Sequence, residues 1–255
     1  MLTILVFISM AISIALYSVV VLIPYLCILL LPKMRREHYM RSFIVLNLGR
    51  SVIHLGLRPF IPIDYRDEAG TNTPPGIYVC NHRAGTDAFL MALFGVEAVQ
   101  IVNGWPMKLP FFGFNARLAG YLDSTKISLE EYPKLFKSLI DNNVNVIAFP
   151  EGTRSGSRSM NSFHSGIFRL AMELGIPVYP CCIAGNERFP DRSFHFHKSK
   201  GIIVKRLPPI MPETYRNFPS AFVFKKRVHD MIQQENQRLD AELDSRRTAA
   251  ITKPH

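Results

Sequence analysis

His82 and Asp87 stand five residues apart in the string Asn81-His82-Arg83-Ala84-Gly85-Thr86-Asp87, and a second string, Phe149-Pro150-Glu151-Gly152-Thr153-Arg154-Ser155, follows about 70 residues later. A histidine ring takes a proton from a hydroxyl near neutral pH, and a carboxylate on its far nitrogen fixes the tautomer and stabilises the imidazolium that forms. With a substrate alcohol in the place of a catalytic serine, that pair suits transfer of an acyl group from a thioester to a hydroxyl. Residues five apart in a straight helix point about 140° away from each other, so the residues between must turn, and Gly85 is the one that permits it. The competing reading makes His82 the end of a strand and Asp87 the cap of the next helix. Cys80, in a buried strand with no obvious charge beside it, is a poor nucleophile.

The second string follows the apolar run Val144-Asn145-Val146-Ile147-Ala148, so its polar residues emerge from a strand into a loop. Arg154 offers a planar fork suited to phosphate, Gly152 lets backbone approach closely, and Thr153 and Ser155 add hydroxyls, which together read as a cradle for an anionic headgroup. Glu151 is open to three roles: holding Arg154, meeting the acceptor's free hydroxyl, or closing a structural ion pair. No metal site is expected, because His195 and His197 form an isolated alternating pair.

The elements that must position these residues are legible as an alternation. Apolar runs at 77–80, 99–102, 144–149 and 178–183 read as strands, and 87–93, 129–140 and 163–174 as helices. The fold class expected is α/β: a layered domain with a largely parallel sheet flanked by helices, preceded by an N-terminal membrane-anchoring helical segment. His82 and Glu151 then lie just past the carboxyl ends of strands, where such sheets place ligands. The expected division is 1–58 for the anchoring helices, 59–223 for the α/β domain, and 224–255 for a charged helix and frayed tail.

Residues 1–32 contain no Asp, Glu, Lys, Arg or His. A helix of that length exceeds the roughly 30 Å hydrocarbon core, so a tilt or a bend at Pro24 is expected. A cleaved signal peptide fails on the missing basic start and the long apolar stretch. Lys33, Arg35, Arg36 and Arg41 follow at once, which puts the rest on the cytoplasmic side. Residues 41–57 read as an amphipathic helix with Ile44, Leu48, Val52 and Leu55 on its apolar face, either lying in the membrane interface or packed on the domain. The net charge of +10 is spread along the chain rather than gathered in one recognition element. This favours an anionic membrane or a phosphorylated substrate over nucleic acid. Four scattered cysteines form no paired framework and fit a reducing compartment.

Over residues 78–185 the chain resembles the glycerolipid acyltransferases, typified by 1-acylglycerol-3-phosphate acyltransferases. The resemblance implies that His82 and Asp87 are the catalytic pair and that Glu151, Gly152 and Arg154 serve the acceptor's phosphate. A further block, Leu109-Pro110-Phe111-Phe112-Gly113 through Gly120, precedes a place where the family usually carries an acceptor-binding arginine, and here Lys126 stands there. Lysine keeps the charge and loses the bidentate fork. Where the family often has a lysine close before a glycine, this chain has Phe163-His164-Ser165-Gly166. The resemblance further implies direct transfer without an acyl-enzyme or bound cofactor. Acyl-CoA or acyl carrier protein would be the donor, a lysophospholipid the acceptor, and membrane lipids the surroundings. Lysophosphatidic acid, giving phosphatidic acid, is the leading acceptor. Another lysolipid or an aminolipid is the alternative, and a non-catalytic lipid-binding protein of the same fold is the reading from a different class.

Overall fold

The computed structural model describes residues 1–70, 73–108 and 110–251. Thr71, Asn72, Leu109 and the last four residues, which belong to the expected tail, lie outside them.

The body is one seven-stranded sheet of β1 (Ile63–Asp67), β2 (Ile77–Cys80), β3 (Ala98–Val102), β4 (Leu122–Asp123), β5 (Asn145–Ala148), β6 (Val178–Ala184) and β7 (Ile202–Arg206), in the order β1-β7-β6-β2-β5-β3-β4. All neighbours are parallel except β6 and β7. The connection between those two contains no crossover helix, so β7 returns antiparallel. The largely parallel sheet expected from the alternation is therefore present, with β2 at its centre.

Among the described residues ten α-helices accompany the sheet: α1 (Leu2–Val20), α2 (Leu22–Leu29), α3 (Lys33–Tyr39), α4 (Leu46–Ser51), α5 (Asp87–Leu90), α6 (Pro110–Leu118), α7 (Tyr132–Asp141), α8 (Gly166–Leu174), α9 (Pro212–Tyr215) and α10 (Ala221–Ile251). β2 is buried on both sides, as a central parallel strand must be. Its side chains alternate: Ile77 and Val79 enter the core shared with Phe168 and with Phe224, Val228, Ile232 and Leu239 of α10. Tyr78 and Cys80 enter a second core with Val6, Val52, Ile53, Leu90 and Phe189. The sheet thus separates α7, α8 and α10 from the N-terminal helices and α5.

The apolar leader breaks earlier than expected. α1 ends at Val20 and α2 starts at Leu22, because Pro24 has no N–H for the Val20 carbonyl and the helix must restart around that gap. α1 is long and apolar enough to cross a membrane. It also docks on the domain: Ser13 Oγ lies 3.0 Å from Ser51 Oγ, and Met10 packs against Gly56. Residues 41–57 pack on the domain. They belong to a continuous helical run over 33–57, interrupted by two π-helical turns, in which Ile44 and Val52 are buried while Leu55 is exposed. α10 begins at Ala221 and packs along β6 and α8, so it is a layer of the domain rather than an appendage.

Candidate active site

His82 lies two residues past the end of β2 and Glu151 three past the end of β5, the neighbouring parallel strand, so their loops meet at the carboxyl edge of the sheet. The imidazole Nδ1 of His82 is 2.7 Å from Asp87 Oδ2. Asp87 is fully buried, and the same oxygen accepts the backbone N–H groups of Arg83 (2.7 Å) and Ala84 (3.0 Å). Its other oxygen accepts from the Asn186 amide. Four donors thus compensate the burial of one carboxylate and set its position.

The turn between His82 and Asp87 is accordingly made by the carboxylate reaching back over its own loop. Gly85 is not in the left-handed region, so its expected role in making the turn does not apply. Asp87 is the first residue of α5 but does not cap it, since the N-cap position is Thr86 and the carboxylate turns back to His82 and its loop. With Nδ1 facing the carboxylate, Nε2 is the ring nitrogen left for a substrate, and the His82 side chain is 21% exposed. The ring rests on Phe149, 4.6 Å between centroids. Cys80 is buried with its Sγ against Met91 Sδ, away from solvent.

Glu151 neither holds Arg154 nor closes an ion pair among the described residues. Its Oε1 accepts the His82 N–H at 2.7 Å and its Oε2 accepts the Asn161 N–H at 2.8 Å. Burial pushes its carboxyl up from the ordinary range, opposed by those two hydrogen bonds. It therefore ties the two loops together beneath the surface. Gly152 has φ +71°, and a Cβ there would come 3.1 Å from His164 Nε2, so a side chain would be strained on both counts. Thr153 is exposed, and Arg154 is half-buried with its Nη1 3.5 Å from where a Cβ of Gly85 would stand. Arg154 consequently lies over the His82–Asp87 loop. Lys126 lies past β4, at the far edge of the sheet and three strands from β2. It is exposed, its ammonium 3.9 Å from Asp123.

The acyltransferase family model matches residues 63–184, which contain both loops. The 1-acyl-sn-glycerol-3-phosphate acyltransferase of Limnanthes alba is 26% identical over 176 residues, 67% of this chain and 62% of that protein. The protein of the same name from Cocos nucifera is 28% identical over 60% of this chain and 51% of its own length. The one from Escherichia coli K12 is 26% identical over 68% and 71%. Residues 63–184 are thus similar to the acyltransferases, and the relatives matched there are 1-acyl-sn-glycerol-3-phosphate acyltransferases. The chain's match spans between half and two thirds of the two plant proteins. The crystal structure of the 1-acyl-sn-glycerophosphate acyltransferase PlsC from Thermotoga maritima superposes with a TM-score of 0.67 at 20% identity, covering 93% of this chain and 94% of that one, and shares its fold.

Three contributors to the site were not foreseen from the sequence. Asn186, which steadies Asp87, follows β6 just as His82 follows β2, and a polar residue behind Gly185 at the end of an apolar strand was the available signal. Asn81 joins those two strand ends, donating to the Ile183 carbonyl at 3.0 Å and accepting its N–H at 2.7 Å. Arg83 is the largest fully buried side chain, forked onto Asp240 of α10 at 2.8 and 2.7 Å with Glu187 at 3.4 Å. Nearby, Arg158 bridges Glu187 and Asp244. α10 thus braces the loop that carries the histidine.

Proposed function

We propose that the chain is a membrane-anchored O-acyltransferase that moves a fatty acyl group from a thioester to the free hydroxyl of a lysophospholipid, with lysophosphatidic acid as acceptor and phosphatidic acid as product. The observation that carries this reading is the His82–Asp87 pair with an arginine laid over the same loop, its guanidinium making no hydrogen bond or ion pair among the described residues. The acceptor's hydroxyl gives its proton to His82 Nε2 as its oxygen attacks the thioester carbonyl. Asp87 holds the ring and stabilises its positive charge, and the departing thiolate takes the proton back. Arg154 receives the acceptor's phosphate as a charge-assisted, forked pair. Acyl-CoA or acyl carrier protein supplies the thioester.

A cavity of about 470 Å³ supports the donor side. Its lining includes Ala88, next to Asp87 in sequence, and Phe89, Leu48, Ile14, Ala116 and Ile147. Its largely apolar wall suits an acyl chain. Ala116→Leu is expected to lower kcat/KM for the longest acyl thioesters about tenfold while sparing short ones, since a methylene in an apolar pocket discriminates on that scale. An unchanged chain-length profile across an acyl-CoA series would put the acyl chain elsewhere. Anchoring rests on the exposed apolar stripe of α1, with Ile4, Ile8, Ile12 and Leu16. Lys33, Arg35 and Arg36 beyond it fit anionic lipid and a catalytic domain on the cytoplasmic side.

The headgroup reading is tested with Arg154→Ala. The acceptor KM should rise about tenfold or more, because a charged hydrogen-bonding partner is lost, and the donor KM should stay constant. An unchanged acceptor KM would move the phosphate site away from Arg154.

A further inference from the structure

The sole partner of the Arg154 guanidinium among the described residues is an aromatic ring. Its central carbon lies 4.8 Å from the centroid of Phe194, in the loop between β6 and β7. Phe194 is 46% exposed and has φ +62°, a backbone region that bulky side chains rarely adopt. The surrounding hydrogen bonds hold it there. Asp191 Oδ1 accepts the N–H groups of Ser193 (2.9 Å) and His195 (3.0 Å), and its Oδ2 pairs with His197 Nε2 at 2.7 Å. The Asp191 carbonyl accepts the Phe194 N–H at 3.1 Å.

The same loop grips the Glu151–Gly152 loop directly: Arg192 donates to the carbonyls of Ser155 (2.8 Å) and Arg154 (3.2 Å). Pro190 and Phe194 both come within 4.0 Å of where a Cβ of Gly85 would stand, which brings this loop, Arg154 and the histidine loop to one point. A carboxylate beneath Arg154 would neutralise the guanidinium and compete with phosphate for its donors. An aromatic face steadies the guanidinium plane and accepts none of its five N–H groups in plane, so all remain for an anion.

We propose that Phe194 is a positioning residue that orients Arg154 toward the acceptor's phosphate, so that the β6–β7 loop forms a third wall of the headgroup site. This rests on the headgroup reading of Arg154 given above. The far side of the loop touches the anchoring helix: the Phe196 N–H donates to Thr3 Oγ1 at 3.0 Å, and the rings of Phe7 and Phe196 meet edge-on at 5.2 Å. The wall is thereby fixed between α1 and the reacting pair.

The test is steady-state kinetics of the full chain in detergent, with lysophosphatidic acid and an acyl-CoA, for Phe194→Leu and Phe194→Tyr in the wild-type and Arg154→Ala backgrounds. Phe194→Leu should raise the acceptor KM about threefold and leave the donor KM in place, which corresponds to the modest strength of an exposed cation–π contact. Phe194→Tyr, which keeps the ring, should restore the wild-type acceptor KM. In the Arg154→Ala background Phe194→Leu should add nothing. An acceptor KM unmoved by Phe194→Leu but raised by Arg154→Ala overturns this proposal alone, as does an equal rise in both backgrounds. If neither substitution moves it, the headgroup reading of Arg154 fails as well.

Discussion

Replacing His82 by alanine is expected to lower the turnover of acyl transfer about 10²- to 10⁴-fold, the range a positioned general base contributes. The loss should fall on kcat, because the ring meets the attacking hydroxyl as it gives up its proton and has no part in holding the phosphate. The fold should survive. The imidazole is partly exposed, its main packing partner is Phe149, and Asp87 keeps its bonds from Arg83, Ala84 and Asn186 when the ring is gone. Initial rates with saturating acceptor and donor, set beside the circular dichroism of the two proteins, check both parts. Near-normal turnover in a folded variant would remove His82 from the mechanism.

The second large effect is on stability. Asp240→Ala strips the forked partner from an arginine that has no access to water. Leaving a buried charge without its partner costs about 3–5 kcal/mol, and the low end is expected because Glu187 stays within 3.4 Å of the same guanidinium. Replacing both members, as in Arg83→Met with Asp240→Leu, should recover most of that loss, since apolar side chains of similar volume leave no charge to solvate. Activity should fall with Asp240→Ala too, because the Arg83 N–H is one of the donors that set Asp87. Chemical denaturation of wild type, single and double variants measures it. A single variant within about 1 kcal/mol of wild type would show that the brace from α10 contributes little.

What could be read from the sequence follows from how local each signal is. The runs that became β2, β5 and β6 are continuous and apolar because those strands are buried on both faces, and the two polar strings stand out where the runs stop. That placed the loops of His82 and Glu151 at one edge of a parallel sheet. β7 was missed because Lys205 and Arg206 break its apolar pattern. Both are buried, and they are satisfied by Glu68, Glu235 and Asp67 from distant segments. Arg83 and Asp240 are 157 residues apart, so nothing near either one announces the other. Glu151 looked like a ligand for Arg154 or substrate because a carboxylate in a loop is usually solvated, whereas here one oxygen accepts a main-chain N–H of the His82 loop and the other one from further along its own loop. The break in the leader was expected at Pro24 and falls at Val21, since a proline disturbs the turn before it. Lys126 was placed by ungapped alignment with the family's arginine, which carries no information on how far β4 stands from β2.

The central claim is the acyl acceptor together with the transfer itself. The measurement that tests it most directly is transfer of labelled acyl groups by the purified full chain, from acyl-CoA and from acyl carrier protein, to lysophosphatidic acid, lysophosphatidylcholine and a lyso-aminolipid in parallel. Phosphatidic acid as the dominant product is the predicted result; product mainly from another acceptor, or no transfer from either donor, would contradict it.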